Sequence, residues 1–316
     1  MAEATLTEWP DLSTLDLEPT LGALHLWSQV VGKVRLAMTP WENHGWHVPL
    51  YVSARGLATG LVPAGDRAFA IEFDLVGDGL TIGVTDGQER RLALQAQSVA
   101  VFHAAVMEAL GQLGLRVRIN SMPSEIVDAV RFERDTAVRA YDGAVARAYW
   151  RALVQVQRVF QLFRTRFVGK CSPIHLFWGS FDLAVTRFSG RPAPRHPGGA
   201  PHMPDAVARE AYSQEVSSAG FWWGGGAVAG PSFYSYAYPA PSGFTAAPIE
   251  PAAARFDPQL GEFLLAYEAV RASEDPDAML LIFLQSTYEA AADLAHWSRD
   301  TLEGPTGLLG RPPPGS

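Results

Sequence analysis

Lysine is almost missing from this chain: of 25 basic residues only Lys33 and Lys170 are lysines, and the rest are arginines. Cysteine is scarcer still. The single Cys171 excludes an intramolecular disulfide and any multi-cysteine zinc site. It reads as a small buried filler more readily than as a thiol activated by the neighbouring Lys170 ammonium. No basic run offsets the net charge of -8, so nothing is available to displace counterions from phosphates, and nucleic acid is not an expected partner. Charge, Gly or Pro interrupts every apolar window before membrane-spanning length, so no membrane association is expected. The acidic start of the chain lacks a basic segment followed by an apolar one, so no signal peptide is read and the cytoplasm is the expected location.

Several familiar sites are missing too. Gly169-Lys170 is not a phosphate loop, because Arg164 stands where the upstream Gly would be. No Gly-x-Gly-x-x-Gly follows a strand, no Gly-x-Ser-x-Gly elbow occurs, and there is no His-Glu-x-x-His. His44 and His47 are three residues apart, but Gly45 and Trp46 between them predict a turn rather than a metal-binding helix face, so no metal site is assigned. Whether a cofactor is used is left unknown.

What is present suffices for a large core. The 316 residues are 48% hydrophobic and 11% aromatic, enough for one large domain or two intimate halves. Helical spacing of Leu24, Trp27 and Val31 predicts a short helix over 21–31, followed by strands at 34–38 and 47–54. Alternation of Phe69, Ile71, Phe73 and Leu75 with polar neighbours predicts a strand, hairpinned through Gly77-Asp78-Gly79 to 80–85. A short strand at 90–94 and a helix capped by Ser98 and reaching about Leu113 follow, with one more strand at 115–119. The second half opens on a long helix, 135–167, followed by strands at 174–178, 181–188, 233–238 and 263–270 and a closing helix at 277–302. The expected class is α+β, with antiparallel sheets and flanking helices arranged as two pseudo-symmetric helix–sheet–helix halves. The corresponding divisions are an extension (1–19), an N-terminal half (20–125), a C-terminal half (126–303) and a disordered tail (304–316).

The lysines prompt the idea of duplication, since both occur as Val-Gly-Lys after an aromatic-rich helical stretch. A composition rich in Ala, Gly, Pro and Arg also explains rare lysines by coding bias alone. If the two are retained for function, they mark places where a slim ammonium cannot be exchanged for a planar guanidinium. The densest chemistry lies in 169–191. Lys170, His175, Asp182, Arg187 and Arg191 sit there among aromatics that include Trp178, and buried charges require partners. Tyr212, Glu215 and Trp222 precede a Trp-Gly-rich run that would suit a pocket rim. From these, Lys170, Asp182 and Glu215 are the catalytic candidates. Lys33, His47, His175, Trp178, Arg187, Arg191, Tyr212 and Trp222 are the ligand-binding candidates.

Longer strings carry a resemblance. Val-Gly-Lys-Val-Arg-Leu-Ala (31–37), Asn-His-Gly-Trp-His-Val-Pro-Leu-Tyr-Val (43–52), the run 169–191 and Tyr-Ser-Gln-Glu-Val-Ser-Ser-Ala-Gly-Phe-Trp (212–222) resemble a bacterial family classed as a domain of unknown function. The likeness spans about 9–302 and implies no activity. The family pattern has His where this chain has Gln214, so a base or metal role for that histidine is not carried over. It also has Pro at the position of Trp223.

Two readings follow. In one, the lysines bind or activate a small anionic or carbonyl-containing ligand in a polar, aromatic cleft between the halves, as a binding protein or an enzyme. In the other, the polar residues are structural, each lysine caps a helix C-terminus, and the aromatic surface at 222–238 is a scaffold or partner interface. A homo-oligomer is left open in both. Convergence of the candidates on one concavity separates the two.

Overall fold

Gly32 does not end the first helix; it lets a tryptophan lie on it. In the computed structural model, which describes residues 8–225 and 228–307, α1 spans Glu18–Met38 without interruption, opened by Pro19 in its first turn. Residues 34–38, expected as a strand, are its last turns. The Trp178 indole lies so close to the helix backbone that a Cβ at position 32 would overlap it. The second Val-Gly-Lys is placed differently: Lys170 comes after the end of the long helix, in the stretch leading to the second sheet. The two tripeptides therefore do not occupy equivalent places.

After a 3-10 turn (Asn43–Gly45) the chain forms β1 (Tyr51–Val52), β2 (Gly56–Ala58), β3 (Val62–Ala64), β4 (Arg67–Asp74), β5 (Gly79–Val84) and β6 (Glu89–Ala93). They pair antiparallel in the order β1-β2-β4-β5-β6, with β3 on β4. The expected alternation holds in β4, where Phe69, Ile71 and Phe73 are buried. β7 (Gln97–Ser98) leads into α2 (Val99–Gln112), whose first turn is capped by the Ser98 side chain. The expected strand at 115–119 is not formed; these residues pair with no strand among the described residues.

β8 (Val138–Arg139) pairs with β7. Asp142 then caps α3 (Gly143–Thr165). β9 (His175–Phe177), β10 (Asp182–Pro192), α4 (Asp205–Ala211), β11 (Gln214–Trp222), β12 (Ser232–Tyr238), β13 (Arg255–Asp257), β14 (Glu262–Ala266), α5 (Tyr267–Arg271), α6 (Pro276–Leu294) and α7 (Arg299–Leu302) complete the chain. The second sheet has the order β13-β14-β12-β11-β10-β9, antiparallel throughout. Leu50 and Leu176 exchange backbone hydrogen bonds at 2.9 Å in both directions, joining the edges of the two sheets. The fold is thus α+β with antiparallel sheets and flanking helices, as expected. α4 has no counterpart among the expected elements, and the expected closing helix is broken between α6 and α7.

One hydrophobic core runs from Trp9 to Trp297 and draws on both halves. Trp9 and Leu12, from the segment expected as an extension, belong to it, and Trp9 Nε1 donates to Asp277. Of the tail, residues 308–316 lie outside the described residues, as do 226–227 of the glycine run and 1–7. Among the described residues no helix is long and apolar enough to cross a membrane.

The second sheet has two unlike faces, and strand register assigns them. Leu183, Val185, Phe221, Phe233 and Leu265 point into the core, where Tyr149 of α3 stacks on Phe221. Asp182, Ala184, Thr186, Ser218, Gly220, Tyr234, Tyr236 and Glu262 occupy the other face, which carries the polar groups described below.

Gly32→Ala is expected to destabilise the protein. Alanine gains about 1 kcal/mol in helix propensity, but the rigid indole, held by its Nε1–H on the Val48 carbonyl at 2.9 Å, cannot swing aside, and overpacking of this kind costs about 1–3 kcal/mol. Urea unfolding should show a net loss; a net gain would mean that Trp178 is not seated on the helix.

Candidate functional site

α1 carries a polar stripe inside an apolar helix. His25, Gln29 and Lys33 are spaced i, i+4, i+8 and therefore share one face. The Gln29 amide donates to the Ser124 carbonyl (2.9 Å) and accepts from the Ser124 N–H (2.7 Å). Lys33 Nζ donates to Ser124 Oγ at 3.0 Å. His25 Nε2 and Gln29 Nε2 both reach the Gly179 carbonyl, at 2.7 and 3.2 Å. One helix face therefore holds two loops, one carrying Glu125 and the other leading into Asp182.

Both loops are bent sharply. Glu125 and Phe181 have φ near +60°, a left-handed conformation costly for side chains of their size. The result brings the Glu125 carboxylate against Gly179. Glu125 is exposed as a whole residue, but its carboxyl end is turned inward. Burial pushes its pKa up to about 7, with the nearby Asp182 charge adding to the effect. Asp182 is pushed upward by burial as well. It accepts from Ser180 Oγ (2.8 Å) and from the Tyr234 hydroxyl. Tyr234 reaches it by crossing β11 at Gly220, where any Cβ would collide with the phenol.

Lys33 belongs to the same region. Its pKa is drawn down to about 8 by burial, against which Glu125 acts, and its ammonium lies 5.5 Å from the centre of the Trp178 ring. Farther along the sheet face, the Tyr236 and Tyr212 hydroxyls share a hydrogen bond of 2.7 Å. His196 stacks on Tyr212 at 4.6 Å. These rings, with Tyr238, Leu260, Gly261 and Glu262, line a depression of about 200 Å³. The pKa of Glu262 is raised to about 7 by burial, then by Asp182 and Asp257.

Lys33, Trp178, Asp182 and Tyr212 are therefore neighbours of this acid–tyrosine face. Trp222 flanks it, paired in register with Asp182. The remaining candidates lie elsewhere. Arg187 is on the opposite face of the sheet, fully buried between the rings of Phe163, Phe167 and Tyr288 and donating to the Phe163 carbonyl. Burial draws its pKa down to about 10. Glu215 and Arg191 pair with each other at 2.6 Å, and Arg191 also donates to the Ala295 carbonyl. That contact ties β10 to the end of α6. His47 is buried, accepts from the Glu42 N–H (3.3 Å) and packs against Trp41. His175 is buried against Trp46, Tyr51 and Phe177 with neither ring nitrogen partnered. Burial, then Arg35 and Arg164, lowers its pKa to about 3. Lys170 faces His44 and Gln214 at the Phe188 end of β10. The two lysines thus occupy separate surroundings, and among the described residues neither bonds a helix's terminal carbonyls.

Residues 9–304 match the model of a family of unknown function, DUF5996. The chain belongs to that family. No curated protein and no solved structure matches it. The DUF5996 match covers every group described above, from the α1 stripe to Glu262.

Glu125, Ser124, Tyr234 and Glu262 are absent from the sequence-based candidates, as is the stripe that positions two of them. The stripe was open to view: His25, Gln29 and Lys33 form an i, i+4, i+8 set once the helix is continued past Gly32. Glu125 carries no such sign, because its place depends on a loop held from another part of the chain.

The raised carboxyl pKa values have a consequence for stability. Folded Glu125 keeps its proton up to about pH 7, against an ordinary 4.5, so between those values the folded state binds more protons than the unfolded one. Stability must therefore fall as pH rises through this window, and Glu262 acts in the same direction. Urea unfolding at pH 5 and pH 7 should show a smaller loss in Glu125→Gln than in wild type, and the smallest in the double variant with Glu262→Gln. Equal losses in all three would mean that these acids titrate as ordinary surface groups.

Proposed function

We propose that the chain binds a small organic cation, an amine or quaternary ammonium, at the acid–tyrosine face of its second sheet. One observation carries this reading. Glu125, Asp182 and Glu262 are gathered around tyrosine rings, yet none of the three forms an ion pair within 4 Å among the described residues, while arginines pair with acids elsewhere in the fold. Lys33 acts on Glu125 only from beyond ion-pair distance, and a ligand cation would supply the close positive partner.

The walls of the depression fit the same ligand. Tyr212, Tyr236, Tyr238 and His196 line it, a set of aromatic rings of the kind that attracts ammonium groups, with Glu262 as counter-charge. A volume of about 200 Å³ suits a ligand of a few heavy atoms, below the usual range for drug-sized ligands. The anionic ligand suggested by the lysines is disfavoured here, because a further negative charge would join acids whose own ionisation burial already penalises. Glu125, Glu262 and Lys33 titrate near neutrality, so the same face can exchange a proton with a bound amine, which is what an enzymatic role would use.

A thermal-shift comparison of tetramethylammonium, choline and ethanolamine against acetate and citrate, at matched ionic strength, tests the reading. The cations should raise Tm and the anions should not; a ligand at a hundred times its Kd stabilises by about 2.7 kcal/mol. Glu262→Gln should abolish the shift while remaining folded. Equal shifts with carboxylates, or none with any cation, would sink the proposal and favour the scaffold reading.

A further inference from the structure

The second lysine sits in a different chemical setting, and the tautomer of one histidine defines it. His44 is held in a left-handed backbone conformation (φ 61°) by the end of α4: its N–H donates to Glu210 Oε1 at 2.8 Å, and its Nδ1 lies 2.9 Å from the Ala211 carbonyl oxygen. A carbonyl oxygen only accepts, so Nδ1 carries the ring proton and Nε2 presents a lone pair. Lys170 Nζ donates to that Nε2, and to Gln214 Oε1 at 3.2 Å. The amine is half-buried, lies over the rings of Phe188 (4.8 Å) and Trp46 (5.5 Å), and has no carboxylate within ion-pair distance among the described residues. Glu210 is near enough to act on it electrostatically, with Oε2 buried and unpartnered.

We propose that Lys170 is a nucleophilic amine that condenses with small aldehydes or ketones, with His44 as the acceptor of its proton. The ammonium passes a proton to His44 Nε2, and the freed amine attacks the carbonyl carbon to give a carbinolamine. Its hydroxyl leaves as water, taking back the proton from His44. One ammonium and one carbonyl compound become one protonated imine and one water, so charge is conserved. The positive charge stays where Glu210 and the faces of Phe188 and Trp46 already offset it. Burial lowers the Lys170 pKa, which raises the fraction of free amine at neutral pH. Lys33 lacks this arrangement: its partner is the Ser124 hydroxyl, a poor base. The inference is independent of the cation site, since it uses other residues at the other end of β10.

The near-absence of lysine makes the test direct, because an adduct can form only at Lys170, Lys33 or the α-amino group. The full chain is incubated with propionaldehyde and cyanoborohydride at pH 7, and the trapped adducts are mapped by mass spectrometry. Labelling at Lys170 should outpace that at Lys33 and at the α-amino group by about tenfold or more, within the range general-base assistance supplies. His44→Asn keeps a residue tolerant of the left-handed conformation and an amide that can donate to Ala211, but it removes the base. It should slow labelling of Lys170 by about tenfold or more and leave the α-amino rate unchanged. Lys170 reacting no faster than the α-amino group, or His44→Asn leaving its rate intact, would overturn the proposal. Should the variant unfold, shown by Lys33 becoming as reactive as the α-amino group, the wild-type ratio still decides.

Discussion

The structure depends on one helix face making hydrogen bonds where an ordinary core helix would make only apolar contacts. Trp27, Val30, Val31 and Val34 anchor α1 in the core, while His25, Gln29 and Lys33 reach two loops from distant parts of the chain. Buried polar groups carry a cost of about 1–3 kcal/mol each when unpaired. Gln29 avoids it only while Ser124 and Gly179 stay in place. Ser124 and Gly179 then fix Glu125 and Asp182, which begins β10. Gly32 completes the arrangement by admitting Trp178, whose indole lies between the helix and the Val48 carbonyl. The acidic face is thus built from α1 outward, and its two left-handed residues are tolerated because this network over-determines them.

Desolvation is the first cause of every large shift at that face, ahead of any single charge pair. It moves acids up and the lysine down, so groups that would differ widely in water approach one another near neutrality. Coulombic attraction between Lys33 and Glu125 opposes both shifts without cancelling them. The acids therefore keep their protons to higher pH than in water and the lysine gives its proton up at lower pH, the balance on which the proposed cationic ligand rests.

Legibility of the sequence divides along the same physical line. Strand alternation at Phe69–Phe73, the Ser98 cap and the long aromatic helix before Lys170 are local signals, and the α+β class follows from them. Gly32 misleads because glycine inside a helix usually marks an end; its reason here is the contact with Trp178, which is remote in sequence. Asp182 and Tyr212 were visible as polar residues in an aromatic run. Arg187 was visible for the same reason, yet strand parity put it on the opposite face, the alternation already legible in Asp182–Phe188. Glu125 and Glu262 could not be found, since isolated acids in loops and strand starts look alike until the fold supplies or withholds an arginine.

The scarcity of lysine then acquires a physical sense. Every ion pair among the described residues uses arginine as its cation. Buried arginines also gather backbone carbonyls, as Arg35 does with those of His47, Pro49 and Thr59. A guanidinium serves such roles well because it is planar, rich in donors and does not lose its proton. Among the described residues Lys33 and Lys170 are paired with no carboxylate; each faces a neutral acceptor in a partly apolar setting that favours the free amine. Arginine in either place would keep its charge at any pH and gain only another fixed cation. Both proposals rest on that difference, each using a lysine as a positive group able to give up its proton.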